Sequence, residues 1–419
     1  MEVRDLIIIG GGSAGMAAAI QAHEDGIEDI LLIEREQQLG GILNQCIHNG
    51  FGLTEFKEEL TGPEYAERFA KQVTDLNIDV RLGATVLKIT RNLEVTYSSK
   101  EDGFVVLKAN AIVFATGCYE RNAGAIQLPG YRPYGIITAG LAQKFLNIEG
   151  YLVGKRVVIL GSGDIGLIMA RRFTLEGAKV LAVVELMPYS NGLNRNIAQC
   201  LNDFEIPLYL SHTVSKVEGE GRVEKVTISA VDQKFQFIPG SEIVFECDTL
   251  LLSIGLVPNV NLLTDINCLI GPTKGAIVNE QMETMIPGIF TCGNCLHVHD
   301  LVDFVSLEGR AAGHGAALYL KRGQIASKHL FKVLAGSDIT YVIPSRIDFG
   351  VDEDVTLKFR VLRPLKDCYV ILKNKEKILK KVYRPVLTPS EMEILKVGKE
   401  LISTLNSDLI LEIEKKGTN

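Results

Sequence analysis

The chain has 419 residues, of which 47% are hydrophobic and 23% charged, enough for two or three globular domains rather than one core. Its net charge of −7 argues against a nucleic-acid-binding protein, which would carry a basic face, and the lack of low-complexity tracts argues against disorder. Eight scattered cysteines are too few for a disulfide scaffold, and among them Cys292 and Cys295 form the close pair.

The first element in chain order is the apolar stretch from Leu6 to Ile20. At about 15 residues it is too short to span a bilayer, and it lacks the basic leader and cleavage-type ending of a signal peptide. The glycines in its middle predict a buried strand, a tight turn and a helix. The expectation is a cytoplasmic protein with reduced thiols and no membrane span of its own, attachment through a partner subunit remaining open.

Within that stretch Gly10, Gly12 and Gly15, with Ser13 and Ala14 between the last two, fit G-x-G-x-x-G, and the next apolar strand ends at Glu34. A glycine-rich segment, Gly40-Gly41-Ile42, then leads to Cys46 and His48. Thr85 to Leu107 alternates like a small meander with a turn at Asp102-Gly103, and the apolar strand from Ala111 ends in Ala115-Thr116-Gly117.

The pattern then recurs. Gly161, Gly163 and Gly166 repeat the fingerprint around Ser162, Asp164 and Ile165, and the following strand ends at Glu185. The same 151 residues separate Gly10 from Gly161 and Glu34 from Glu185. A second meander, Val214 to Phe245, and a second strand ending at Gly255 complete the repeat. In such a turn the first glycine permits the strand-to-helix reversal and the second lets backbone approach a pyrophosphate. The third lets the helix pack on the sheet, while the acid accepts from a ribose diol. One copy is weak evidence; two copies with equal internal spacing argue strongly against an ordinary glycine turn.

Pro287 to Asn294 reads as one more strand, followed by a Gly- and Ala-rich helix to about Leu320. From about Ile339 the alternation is strand-like, which predicts a small β-rich domain over 335–419. The expected fold is α/β, with two Rossmann-like FAD/NAD(P)-binding domains of the three-layer ββα type.

Over about 1–330 these residues resemble the two-dinucleotide-binding-domain flavoproteins, the pyridine nucleotide-disulfide oxidoreductase superfamily that includes glutathione and thioredoxin reductases. The resemblance implies an FAD domain made of 1–120 and 260–330 with the NAD domain, 121–259, inserted in it, and FAD held by the first fingerprint, Gly10 to Gly15, with Glu34, Arg35, Gly41, Ile42 and Val86. It adds Ala115, Thr116, Gly117, Gly293, Asn294, Asp303 and Phe304 to the same site. The nicotinamide dinucleotide falls to Gly161, Gly163, Asp164, Ile165, Gly166, Glu185 and Gly255. Glu185 would accept from the hydroxyls of NAD and repel the 2′-phosphate of NADP, which makes NAD the expected nucleotide, although Arg195 lies nearby. The superfamily's last strand ends in Gly-Asp, where this chain has Gly293-Asn294; an amide can still hydrogen-bond there.

Two details point away from disulfide reductases. Cys46 is alone and out of register with the C-x-x-x-x-C pair of the glutathione-reductase type. No cysteine precedes the second fingerprint, where the thioredoxin-reductase type has C-x-x-C. Gly40 to Gly52, Thr138 to Gln143 and Val298 to Asp303 resemble instead the flavoprotein subunits of multi-subunit dehydrogenases. Those are the opine oxidase, cyanide synthase, hydroxyproline dehydrogenase and glycerol-3-phosphate dehydrogenase-associated types. That resemblance implies hydride transfer between NAD(H) and FAD, a larger FAD dehydrogenase subunit or iron–sulfur protein as partner, and glycerol 3-phosphate or a small hydroxy or amino acid as substrate. The four-cysteine domain of some relatives is not expected here, because the C-terminal region of this sequence has Cys368 alone.

Four residues are candidate catalytic groups. Cys46 and His48 fall where the superfamily chain passes the flavin ring, and either tune it or line its pocket. Cys292 and Cys295 are open to three readings: structural lining, a redox pair, or half a metal site with His297 and His299; no metal is expected. His299, Asp300 and Asp303 either face the flavin or cap the last helix. Two alternatives to the dehydrogenase subunit stand beside it: a free-standing NADH oxidase or disulfide reductase using Cys292 and Cys295, and an assembly subunit that keeps FAD without turnover.

Overall fold

The computed structural model of the chain describes residues 1–322, 330–348, 353–375, 377–402, 405 and 407–417. The chain divides into two compact units, Met1–Cys118 with Pro258–Asn419, and Tyr119–Val257.

In the first unit the opening strand Glu2–Ile9 lies centrally in a sheet, parallel to Ile30–Ile33 on one side and to Gly103–Phe114 on the other. Its residues Leu6, Ile7 and Ile8 are fully buried on both faces, which is why the strand reads as a continuous apolar run. The twelve-residue strand Gly103–Phe114 serves two neighbours in succession. Its first half pairs antiparallel with Glu94–Ser99 of the meander, and its second half pairs parallel with Ile289–Thr291. The last strand of the α/β fold thereby joins the sheet of the first strand through Gly103–Phe114, although residues 119–257 separate the two in sequence.

Helix Ser13–Glu24 and the long helix Val302–Arg322 pack against each other at very close range. A Cβ at Gly309 would lie 2.2 Å from the Ala14 carbonyl oxygen, and one at Gly313 equally close to that of Ala18. Only glycine lets the two helix backbones meet in this way. The Gly and Ala content of both helices is thus a packing requirement.

The second unit repeats the design. A parallel sheet runs in the order Ile136–Thr138, Thr249–Leu252, Arg156–Leu160, Lys179–Glu185, Leu208–Leu210. The antiparallel strands His212–Glu218, Lys225–Ala230 and Ile243–Glu246 form the accompanying meander. Both units are Rossmann-like α/β folds.

The described residues between 330 and 415 are largely strands, grouped with the first unit. They surround their own apolar core, which includes Leu357, Phe359, Val370 and Leu411. Among the described residues no helix is long and apolar enough to cross a membrane.

Candidate functional site

The two glycine turns are built alike down to single hydrogen bonds. Gly10 has φ +107 and Gly161 φ +100, a region where L side chains are strained. A Cβ at Gly10 would lie 2.4 Å from the Ala115 carbonyl oxygen, and one at Gly161 2.0 Å from that of Ser253. In the first turn Glu34 Oε2 accepts from the Gly11 amide at 2.6 Å and Oε1 from the Glu36 amide at 2.8 Å. In the second, Glu185 Oε2 accepts from the Ser162 amide at 3.0 Å and Oε1 from the Met187 amide at 2.9 Å. Each pair of donors is the other pair displaced by the repeat spacing. Both carboxylates are buried and anchored, and Oε1 of each, with a single amide donor, retains a lone pair for a ribose hydroxyl.

Space for phosphate lies at the tips. A Cβ at Gly12 would touch nothing within 4 Å, and one at Gly163 would reach Ser253 Oγ alone, at 3.8 Å. Gly12 and Gly163 also start the helices Ser13–Glu24 and Asp164–Leu175 without bringing a capping side chain, so the first-turn amides face that space. Gly41 lies over Gly12, and Gly40 donates its amide to the Gly11 carbonyl at 2.9 Å. Ala115 packs on the first turn, while Thr116 donates its hydroxyl to the Asn259 carbonyl at 2.8 Å and Gly117 has φ +69. Arg35 and Ile42 are exposed, Val86 packs partly buried in the meander, and Gly293 adjoins Ala14. In the second unit Asp164 Oδ1 accepts from the Leu193 amide at 2.8 Å and from Asn196 Nδ2 at 2.6 Å, fastening the loop after Glu185 over the turn.

Asp303, which either faces the flavin or caps the last helix by the sequence, stands in the first turn of that helix. Its carboxylate is buried and accepts from the amides of Gly52, Thr54 and Glu55 at 3.2, 3.1 and 2.8 Å. A buried carboxylate must be satisfied, and this one is satisfied by tying loop 52–55 to the start of the last long helix. Asn294 Oδ1 likewise turns inward, accepting from the amide of His299 at 3.0 Å and meeting His299 Nδ1 at 3.2 Å.

The four candidate catalytic residues fall into two places. Cys46 ends the short helical turn Gly41–Gln45, its Sγ 3.3 Å from the Ile42 carbonyl, and burial pushes its thiol up to about 12. His48 is half-buried, its ring 5.0 Å from that of Phe51. Cys292 and Cys295 are fully buried, and both sulfurs approach the Phe114 carbonyl oxygen, at 3.8 and 3.2 Å. Burial raises both thiols, that of Cys292 well above its ordinary value. Desolvation dominates because both side chains are sealed in the core beneath the strand end.

A family model for the pyridine nucleotide-disulphide oxidoreductases matches residues 4–325, more than half of the chain. The chain belongs to that family. It is similar to the NAD(P)H coenzyme A polysulfide/persulfide reductase of Pyrococcus horikoshii, 26% identical over 80% of this chain and 73% of that protein. It is also similar to the NADH oxidase of Methanocaldococcus jannaschii, 28% identical over 78% and 70% of the two chains. In fold it resembles the thioredoxin reductase of T. acidophilum, with a TM-score of 0.61, 23% identity, and coverage of 77% of this chain and all of that one.

As a member of the pyridine nucleotide-disulphide oxidoreductases, the chain is an FAD-dependent NAD(P)H oxidoreductase. The first turn fits the FAD pyrophosphate and ribose, by its open Gly12 tip and anchored Glu34; the second fits the nicotinamide dinucleotide by the same features. Sequence reasoning missed Glu308, Lys358 and Arg360. Glu308 Oε2 accepts from the Gly293 amide at 2.8 Å and Oε1 from Lys358 Nζ at 2.5 Å. Arg360 Nη2 donates to Asp300 Oδ1 at 2.9 Å. A lysine on a strand of the C-terminal region carries no local pattern that could have announced this.

Proposed function

We propose that the chain is an NADH-linked flavin oxidoreductase that hands electrons from FAD to an external acceptor without an internal dithiol. One observation carries this reading: the close cysteine pair lies wholly inside the core, with its thiols raised and held against a backbone carbonyl. Thiolate attack requires access and ionisation, and Cys292 and Cys295 lack both. Bound FAD supplies the two-electron centre between the nicotinamide and the acceptor. The chain's own share is to anchor the two ribose acids, to present helix amides to both pyrophosphates, and to fasten loop 52–55 through Asp303.

Preference for NADH follows from Glu185. Its carboxylate is pinned at the tip of the second turn, where a 2′-phosphate would meet fixed negative charge. The acceptor we favour is a redox partner, a larger FAD dehydrogenase subunit or an iron–sulfur protein, in a cytoplasmic assembly that oxidises glycerol 3-phosphate or a small hydroxy or amino acid. The likeness of Gly40 to Gly52 and Val298 to Asp303 to such subunits supports it.

A second reading has a small-molecule acceptor, either dioxygen or a sulfur compound. The activities for which the Pyrococcus and Methanocaldococcus relatives are named, polysulfide/persulfide reductase and NADH oxidase, favour it. Anaerobic reduction of the purified flavoprotein by NADH, followed by reoxidation, separates the readings. Under the first, flavin bleaches with no new titratable thiols and reoxidises slowly with air or polysulfide. Rapid turnover with either oxidant supports the second. Release of two thiols per flavin on reduction would sink the dithiol-free reading.

A further inference from the structure

We propose that Lys358, on the C-terminal strand Val355–Val361, is a positioning residue for the FAD-binding loop Gly293–Leu301, acting through Glu308. Glu308 is fully buried on the long helix Val302–Arg322, directly before Gly309, whose missing side chain lets that helix rest on Ala14 of the first fingerprint. Its carboxylate is the hub of a network spanning the loop and the C-terminal strands. Oε2 accepts from the Gly293 amide at 2.8 Å, while Oε1 accepts from Lys358 Nζ at 2.5 Å and from His297 Nε2 at 3.0 Å.

The donor and acceptor roles close on themselves. A carboxylate only accepts, so His297 Nε2 carries the hydrogen and Nδ1 accepts from the Tyr341 hydroxyl at 3.2 Å. That hydroxyl in turn accepts from Arg360 Nε at 3.2 Å. Arg360 also donates to the Val298 carbonyl at 3.3 Å and to Asp300 at 2.9 Å. The loop is thus gripped at Gly293, His297, Val298 and Asp300 by three residues of the C-terminal strands, directly or through Glu308. His299 Nε2 is buried and without a hydrogen-bond partner, 3.5 Å from Glu308 Oε2.

His297, His299 and Glu308 bring ligand-type atoms within 4.8 Å of one another, a grouping that a metal ion can use. Here the ammonium of Lys358 already takes the cation's place beside the carboxylate. The inside of a protein repays an ion pair only when further hydrogen bonds satisfy it, and both oxygens of Glu308 are so satisfied. The charge arrangement therefore sets the position of the Gly293 amide, one covalent step from Asn294 and in contact with Ala14. On this basis the C-terminal region is part of the FAD site's support, whatever accepts the electrons.

The test uses the full chain, stripped of flavin and titrated with FAD, and the flavin midpoint potential of the reloaded protein. Lys358→Met should weaken FAD at least tenfold and shift the potential, and Lys358→Arg should restore both to near wild type. Arg363→Ala, which breaks the exposed Arg363–Asp338 ion pair of the same region, should change neither. Wild-type FAD affinity and potential in a folded Lys358→Met protein would overturn the proposal. If that variant does not fold, the double variant Lys358→Met/Glu308→Gln, which leaves no unpaired charge, is read instead. Weakened FAD there supports the proposal, and unchanged affinity overturns it. Neither readout involves the electron acceptor, so failure here is distinct from failure of the function proposed above.

Discussion

Glu185 Oε2 accepts from both the backbone amide of Ser162, at 3.0 Å, and its hydroxyl, at 2.6 Å. The first turn has Gly11 in place of Ser162, so the second acid is held by one more bond than the first. Glu185→Arg should therefore reverse the local charge and lower the NADH-over-NADPH ratio of kcat/KM by about 10- to 100-fold, the factor that roughly 1.4–3 kcal/mol commands. Steady-state kinetics with both nucleotides measure it; an unchanged ratio would place nucleotide choice elsewhere.

Alanine at the two leading glycines should separate the two sites. Both positions combine positive φ with a carbonyl oxygen under 2.5 Å from the added Cβ. Such strain costs on the order of 1–3 kcal/mol before the clash is counted. Gly10→Ala should purify with little flavin. Gly161→Ala should keep its flavin and bleach slowly with NADH under anaerobic conditions.

Alkylation should distinguish burial from reactivity. In the native protein near pH 8, iodoacetamide should leave Cys292 and Cys295 unlabelled, and peptide mapping after denaturation should recover both as free thiols. Cys295→Ala should reduce with NADH at a rate within about threefold of wild type, since its expected cost is local packing. Labelling of either native thiol would reopen the redox-pair reading.

His297 gives the fold a defined acid sensitivity. Burial and the neighbouring His299 depress its folded value to about 4, against 6.5 for an ordinary histidine. Between those values the unfolded chain binds the extra proton, so stability rises with pH across that window and falls as pH drops through it. The loss amounts to about 3 kcal/mol when complete. His297→Asn should flatten that segment of a denaturant-midpoint profile measured between pH 4 and 7. Glu308, held well below the carboxylate range by Lys358 and the two histidines despite its burial, contributes in the same direction only below its unfolded value of 4.5.

Asp303→Ala should release loop 52–55, because three backbone amides lose their acceptor at once. A cost of about 2–4 kcal/mol is expected, from charge-assisted bonds lost in a buried setting. Hydrogen exchange at Thr54 and Glu55 should rise more than in the rest of the first unit. Unchanged protection would mean that Arg310, 2.8 Å from Glu55, holds the loop by itself.

Much of the dinucleotide chemistry was legible beforehand, and the reason is local. A glycine turn with its acid is encoded within about 25 residues by backbone sterics and the period of strand and helix. Gly10 and Gly161, or Glu34 and Glu185, could therefore be read without knowing what packs against them. The side-chain fates of Asp303, Cys292 and Cys295 could not. C-x-x-C spacing does not say which face of a strand end is the core, and an acid at a helix start looks the same whether it meets a ligand or a loop.

What the amino-acid order determined alone was thus the pair of Rossmann-like turns and their acids. Only the tertiary structure decided that the cysteine pair is sealed and that Asp303 holds a loop. It alone joined Lys358 to Glu308 across 50 residues of sequence. Two charges removed from water stabilise each other only at contact distance, and contact between distant residues is settled by packing rather than by any local period.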